Sequence, residues 1–182
     1  MKKIILITFL FSPFLLRAQA TQSSANPTTV ADSWYPGEIA DIQKVLPPRS
    51  KTLVTDYTNT LSAGDKQRLE NKLVGVEHTT TAQIAIVIMK SVGKFNIMHY
   101  GRRLGNAWGI GQKGKNNGVL ILLALNDRKV AIITGTGIEH LVTDRICTDI
   151  IQRNFLLHFK NGDYYGGLDD GTDRIIMLIK GS

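Results

Sequence analysis

Residues 119–134 read VLILLALNDRKVAIIT, and this stretch decides the fold. It consists of two apolar runs, Val119 to Leu125 and Lys129 to Thr134, separated only by the three polar residues 126–128 (NDR). So short a link can join only neighbouring antiparallel strands, and its residues are typical of turns. The stretch therefore predicts a β-hairpin.

A third apolar run, Ile84 to Met89, lies upstream of the hairpin and is rich in β-branched residues. Such unbroken runs are typical of strands that are covered on both faces. Between this run and the hairpin, Asn96 is suited to cap a helix that includes Leu104 and Trp108 on one side. Two strands separated by a helix predict a parallel pair with a right-handed crossover.

Further helices complete the pattern on either side of these strands. Ser62 is a good N-cap for a helix in which Leu69, Leu73 and Val76 repeat on one face. Two more helices are predicted near 138–158 and 163–180. The sequence thus predicts an α/β protein, a three-layer α/β/α sandwich with a mixed, mostly parallel central sheet containing one antiparallel hairpin.

The composition limits the class of protein. The chain has 182 residues, 43% of them hydrophobic and 20% charged, which suits one globular domain. Its single cysteine, Cys147, excludes a disulfide scaffold and a multi-cysteine metal site. We expect Cys147 to be a buried, reduced thiol that only packs.

The N-terminus has the pattern of a secretory signal. Lys2 and Lys3 precede an apolar run from Ile4 to Leu16, and Ala18-Gln19-Ala20 then offers a peptidase cleavage site. An uncleaved membrane anchor is the alternative, but the run is short for one and contains a proline. We expect cleavage after residue 20 and a periplasmic or secreted protein.

The expected organisation therefore has three parts. Residues 1–20 form the signal peptide, and residues 21–51, rich in Thr, Ser, Asn and Pro, form a linker. Residues 52–182 form the folded domain.

The charges are unevenly distributed. The net charge is +7, and no acidic residue occurs between Glu77 and Asp127, where six cations occur. A solvated helix face with a flexible loop explains such a strip, and a site for an anionic small molecule or lipid headgroup is the alternative. No aromatic residues interleave with the cations as stacking on nucleic acid would require, so we expect no nucleic-acid partner.

Two phosphate-binding patterns occur in one loop. Residues 109–114 satisfy G-x-G-x-x-G, and residues 109–115 satisfy G-x-x-x-x-G-K. Both patterns bind phosphate only where the loop follows a strand and opens a helix. This loop is predicted to leave a helix and enter a strand, which argues against a nucleotide site.

Polar residues gather at one predicted edge of the sheet. Asn116 and Asn117 precede a strand, while Glu139 and Asp144 follow the end of the hairpin. Carboxylate and amide oxygens suit a hard cation such as Ca²⁺. Helix capping and turn formation, which these residue types also perform, are the alternative.

The loop and hairpin also resemble a known family. The segments DYTNTLS at 56–62, WGIGQKGKNNGVL at 108–120, LNDRKV at 125–130, GTGIE at 135–139, LVTD at 141–144 and FKNGDYYGGL at 159–168 are similar to motifs of the TPM domain family. The resemblance covers about residues 47–181.

The resemblance implies an α/β/α sandwich that faces an extracytoplasmic space. Within the family, a plant thylakoid member is described as an acid phosphatase that binds calcium, whereas others act as accessory or assembly factors of membrane complexes. By motif position, the resemblance implies that Asp56 and Asn59 join Asn117, Glu139 and Asp144 as candidate cation ligands.

Two functions are therefore expected as alternatives. In the first, the domain is a periplasmic binding or assembly factor with a divalent-cation site, and its partner is a membrane protein complex. In the second, it is a metal-dependent acid phosphatase acting on phosphate monoesters, with Lys113 and Lys115 as anion-binding residues.

Overall fold

The computed structural model describes residues 7–8 and 36–181. The expected cleavage site and most of the expected signal peptide and linker lie outside these residues. Within the described part, no helix is long and apolar enough to cross a membrane.

The centre of the fold is a five-stranded sheet in the order β1-β5-β4-β3-β2. Strands β2, β3 and β4 are mutually parallel, and β4 and β5 form the antiparallel hairpin that the sequence predicts. The two-residue strand β1 pairs antiparallel with Lys129 and Val130 of β5. The strands are β1 (Ile7–Thr8), β2 (Val54–Asp56), β3 (Gln83–Met89), β4 (Gly118–Ala124) and β5 (Lys129–Thr134).

Six α-helices surround the sheet in the described residues. A π-helical segment, Ile151–Phe155, joins the fourth to the fifth, so the chain runs as one interrupted helix there. The helices are α1 (Pro36–Val45), α2 (Ala63–Thr80), α3 (Ile97–Trp108), α4 (Asp144–Ile150), α5 (Leu156–Phe159) and α6 (Tyr164–Lys180).

Local capping explains where the helices begin. The Ser62 side chain accepts a hydrogen bond from the N–H of Asp65, and Asn96 accepts one from Met98. Asp163 caps α6 by accepting a 2.8 Å hydrogen bond from Gly166. These contacts supply partners for main-chain N–H groups that no helical carbonyl can reach.

Two apolar cores lie on opposite faces of the sheet. Successive side chains of β3 point to opposite cores. Ile84, Ile86 and Ile88 face the first core, and Ala85 and Val87 face the second. The first core contains α2 and α4 to α6, and the second contains α1 and α3. The predicted three-layer architecture is therefore confirmed.

The two crossovers place their helices on opposite faces of the sheet. The chain passes from β2 to β3 through α2 on one face and from β3 to β4 through α3 on the other. Because both steps move in the same direction across the sheet, the two crossovers have opposite hands. One of them is thus of the rare left-handed kind.

The segment expected as a linker is in part a folded element. Helix α1 packs on the second core through Ile42, which is fully buried, and Glu38 accepts hydrogen bonds from the N–H of Asn96 and the ring of His99. The Trp108 indole N–H donates to the carbonyl of Pro47. Helix α1 and the following Pro47 are thus held by residues of α3 that lie about sixty positions away.

Candidate functional site

The amino edge of the sheet is defined by the starts of β3 and β4 and the end of β5. The glycine loop 109–117 leaves α3 at Gly109, with φ +61°, and enters β4. It therefore opens a strand rather than a helix, as expected. Asn117 holds this loop, because its side-chain oxygen accepts from the N–H of Gln112 and its amide donates to the carbonyl of Thr81.

A second loop, residues 135–143, crosses the glycine loop at the same edge. Added β-carbons at Gly135 and Gly137 would collide with the carbonyls of Asn116 and Lys115, so only glycine permits this approach. The N–H of Gly137 donates to the Asn116 carbonyl at 3.1 Å. The two loops thus place the main-chain carbonyls of Lys115 and Asn116 beside the segment that leads to Glu139.

Glu139 follows this crossing and is half-buried. Its N–H donates to the Gly135 carbonyl at 3.2 Å. Its side-chain atom Oε2 is buried and has no hydrogen-bond partner in the described part of the chain. A buried polar atom without a partner requires an explanation, and a bound ion or water is one.

The other candidates at this edge are more exposed. Asp144 is the first residue of α4, follows the N-cap Thr143 and is exposed. Lys115 donates to the hydroxyl of Thr81 at 3.0 Å. Lys113 is exposed and lines a surface cavity of about 380 Å³ together with residues of the glycine loop, including Asn116.

Asp56 and Asn59 lie at the opposite, carboxyl edge, where the parallel strands end. Asp56 is paired with Ile88 in the sheet, whereas the start of β4 is paired with Gln83. These two positions of β3 are about 16 Å apart at the usual rise per residue. The five expected ligands therefore do not come together at one ion.

Asp56 instead organises the loop after β2. Its carboxylate accepts hydrogen bonds from the N–H and hydroxyl of Thr58 and from the N–H of Leu61. Burial opposes the charge, but these hydrogen bonds outweigh it and hold the pKa of Asp56 below its ordinary value. Asn59 takes the left-handed turn position in this loop, with φ +55°.

Sequence reasoning missed the role of Asp127, which lies at the same carboxyl edge. Its carboxylate accepts hydrogen bonds from the hydroxyl of Ser91 at 2.6 Å and the N–H of Val92 at 2.8 Å. It thereby joins the β4–β5 turn to the loop after β3. Across the described residues, no group of three or more His, Cys, Asp or Glu side chains is arranged to hold a metal.

Three solved bacterial structures are similar to this chain. The N-terminal domain of a protein from P. gingivalis is 28% identical with a TM-score of 0.67, over 79% of this chain and 87% of that one. The N-terminal domain of the cg2496 protein from Corynebacterium glutamicum is 20% identical with a TM-score of 0.55, over 75% and 83%. The BA42 protein from Bizionia argentinensis is 21% identical with a TM-score of 0.60, over 69% and 85%.

The sequence also matches the model of a protein family. No curated protein matches the chain significantly. The sequence model of the TPM domain, named TPM_phosphatase, matches residues 54–178, which extend from the start of β2 into the last turn of α6. This protein therefore belongs to the TPM domain family.

Proposed function

We propose that this TPM-domain protein is exported, acts as a periplasmic binding or assembly factor, and holds a hard divalent cation such as Ca²⁺ at its amino edge. The observation that supports the cation site is the buried, unpartnered Oε2 atom of Glu139. Leaving a buried charged oxygen without a partner costs free energy, so a bound cation would stabilise the folded chain.

Other oxygen atoms of the same edge could complete the coordination. The carbonyl of Lys115 is packed against Gly137, two residues before Glu139, and Asp144 begins the next helix. Calcium accepts carboxylate and main-chain carbonyl oxygens together. Asn117 contributes by holding the loop, whereas Asp56 and Asn59 belong to the other edge and are not part of this proposal.

Thermal melting with and without Ca²⁺ tests the site. We expect Ca²⁺ to stabilise the wild type by about 2.7 kcal/mol at a hundredfold excess over Kd. The nearly isosteric Glu139→Gln variant removes the unpaired charge, so it should melt no lower than the wild type without Ca²⁺ and lose the response. Asp41→Asn removes an exposed carboxylate of α1 and should keep the response.

Two results would overturn this cation site. An unmoved wild-type midpoint means that no stabilising ion binds. A full response in Glu139→Gln places the ion elsewhere, and Asp56→Asn would then test the carboxyl edge.

A metal-dependent acid phosphatase acting on phosphate monoesters is the second candidate. The exposed Lys113 beside the glycine-loop cavity supports it, because that ammonium group could attract a phosphate ester to the amino edge. A bound cation would supply charge neutralisation and an activated water. Hydrolysis of p-nitrophenyl phosphate that requires Ca²⁺ and falls in Lys113→Ala would favour this function, whereas no turnover from pH 4 to 8 would exclude that substrate.

A further inference from the structure

A second cavity, of about 290 Å³, lies at the carboxyl edge on the first-core face of the sheet. It is formed where the β4–β5 hairpin meets the junction between α5 and α6. It is therefore at the opposite edge from Glu139 and the glycine loop. Its lining includes Leu123, Arg128, Val130, Phe159, Lys160 and Tyr164.

The inner part of this carboxyl-edge cavity is apolar and aromatic. Leu123 and Val130 are almost fully buried residues of the first core. Phe159 is stacked on Phe155 at 5.6 Å, and the ring of Tyr164 is tilted against Phe159 at 5.1 Å. These mutual contacts hold the rings in place, so the apolar surface is preformed.

The rim of the cavity is cationic. Arg128 and Lys160 are exposed. Among the described residues, no acidic side chain lines the cavity and neither cation forms an ion pair. The neighbouring acids are engaged elsewhere, since Asp127 accepts from Ser91 and Asp163 accepts from His158 and Gly166. The rim therefore carries two cations that form no ion pair with these neighbours.

Lys129 does not contribute its charge in the same way. Side chains alternate along a strand, and Val130 faces the first core while Ala131 faces the second. Lys129 has the parity of Ala131, so its side chain is directed away from the face on which the cavity lies. We infer that Lys129, which also lines the cavity, does so through its main chain.

Arg128 occupies an unusual main-chain position. Its φ is +51°, in the left-handed region that glycine adopts at no steric cost and that costs other residues about 1 kcal/mol or more. Its N–H donates to the Leu125 carbonyl and closes the hairpin turn. A glycine would close this turn with less strain, so the side chain of arginine at this position points to a use for its charge.

We propose that the carboxyl-edge cavity binds a small organic anion with an apolar body, such as an aromatic or short acyl carboxylate, sulfonate or phosphate ester. Arg128 and Lys160 bind the anionic group at the rim, and the apolar body packs on Phe159 and Tyr164. The volume lies near the lower limit for small-molecule sites, which restricts the ligand to a single ring or a short chain.

Calorimetric titration of the full chain with benzenesulfonate, which no phosphatase can hydrolyse, tests this proposal. We expect saturable binding that weakens as NaCl is raised, because the attraction is electrostatic. Sulfate lacks the apolar body and benzyl alcohol lacks the charge, so each should bind at least tenfold more weakly. Absence of benzenesulfonate binding at millimolar concentration, or equal binding of the three probes, overturns the proposal.

Variants locate the site. Arg128→Gly suits the backbone at that position and should preserve the melting temperature while weakening benzenesulfonate binding at least tenfold. Lys160→Gln should act in the same direction. Lys129→Gln is the matched control, because it removes the adjacent charge from the other face, and it should change the affinity less than twofold. Binding that is unchanged in Arg128→Gly and Lys160→Gln, or lost equally in Lys129→Gln, contradicts the assignment.

Discussion

The carboxylate of Glu70, on α2, accepts a 2.7 Å hydrogen bond from the main-chain N–H of Val54, on the edge strand β2. Its other oxygen accepts from the N–H of Leu53 at 3.0 Å. One side chain thus supplies partners for the first N–H of β2, which is an edge strand among the described residues, and for the N–H of the residue before it. It also blocks an edge at which another chain could pair.

Glu70→Ala should lower the free energy of unfolding by about 2 kcal/mol, because two main-chain donors lose a charged acceptor. Glu70→Gln keeps one carbonyl oxygen and should lose roughly half as much. Urea denaturation of the three proteins measures the difference. Equal stability of Glu70→Ala and the wild type would mean that water replaces the carboxylate at no cost.

Gly135→Ala should destabilise the protein by about 2 kcal/mol, because the new methyl group would meet the Asn116 carbonyl and main chain has little freedom to move away. Gly75 offers a matched substitution on α2, where an added methyl group has no neighbour within 4 Å. Gly75→Ala should therefore raise stability by about 0.5–1 kcal/mol. Thermal denaturation compares the two, and similar effects of both substitutions would contradict the close approach.

His158 lies between two carboxylates, at 2.7 Å from Asp163 and 2.9 Å from Asp170. Hydrogen bonding to Asp163 and then to Asp170 raises the pKa of His158 above its ordinary 6.5. Hydrogen bonds from Gly166 and His158 lower the pKa of Asp163 below its ordinary 3.8. Both groups are charged in the folded protein between these two ordinary values.

The sign of the pH effect follows from these directions. The raised pKa of His158 contributes stability that is complete below pH 6.5 and is lost as the pH rises through the folded pKa. The lowered pKa of Asp163 contributes stability that is complete above 3.8 and is lost as the pH falls through its folded pKa. His158→Asn should therefore be most destabilised, relative to the wild type, between about pH 4 and 6.

Urea midpoints measured from pH 4 to 9 test this pH dependence. The difference between wild type and His158→Asn should shrink above neutral pH, whereas the exposed His140→Asn serves as the control. A difference that stays constant over the whole range would show that His158 acts only by packing.

Cys147 should be inert in the folded protein. Its side chain is fully buried, and burial, with a further contribution from the Asp144 carboxylate, raises the pKa of the thiol to about 12. Since the thiolate is the reactive form, a thiol reagent at pH 8 should label the native protein only as fast as the chain opens. Labelling in urea provides the full signal, and rapid labelling of the native protein would contradict the buried position.

The exported protein should begin at Thr21, because Ala18-Gln19-Ala20 is the small-residue exit after the apolar run. Intact-mass analysis of the protein recovered from the periplasm or medium measures the cleavage directly. Ala20→Arg should block it, and a mass that includes Met1 in the exported wild type would exclude the signal peptide.

The sequence alone determined the elements that depend on neighbouring residues. The hairpin at residues 119–134 was predictable because two apolar runs separated by a short polar link have no other partner within reach. The caps Ser62, Asn96 and Asp163 were predictable because each side chain reaches only a few residues along the chain. The glycine loop before β4 followed from the same local order of elements.

Only the tertiary structure decided which distant residues meet. Family motifs suggested Asp56 as a partner of Asn117, but parallel strands place the end of β2 and the start of β4 at opposite edges of the sheet. Helix α1 and Pro47 are an example of the opposite outcome, in which distant residues do meet. Their contacts with His99 and Trp108 depend on a surface that exists only after α3 has packed. Periodicity and capping act within a few residues, whereas these contacts depend on strand direction, crossover hand and the packing of layers, which no local segment specifies.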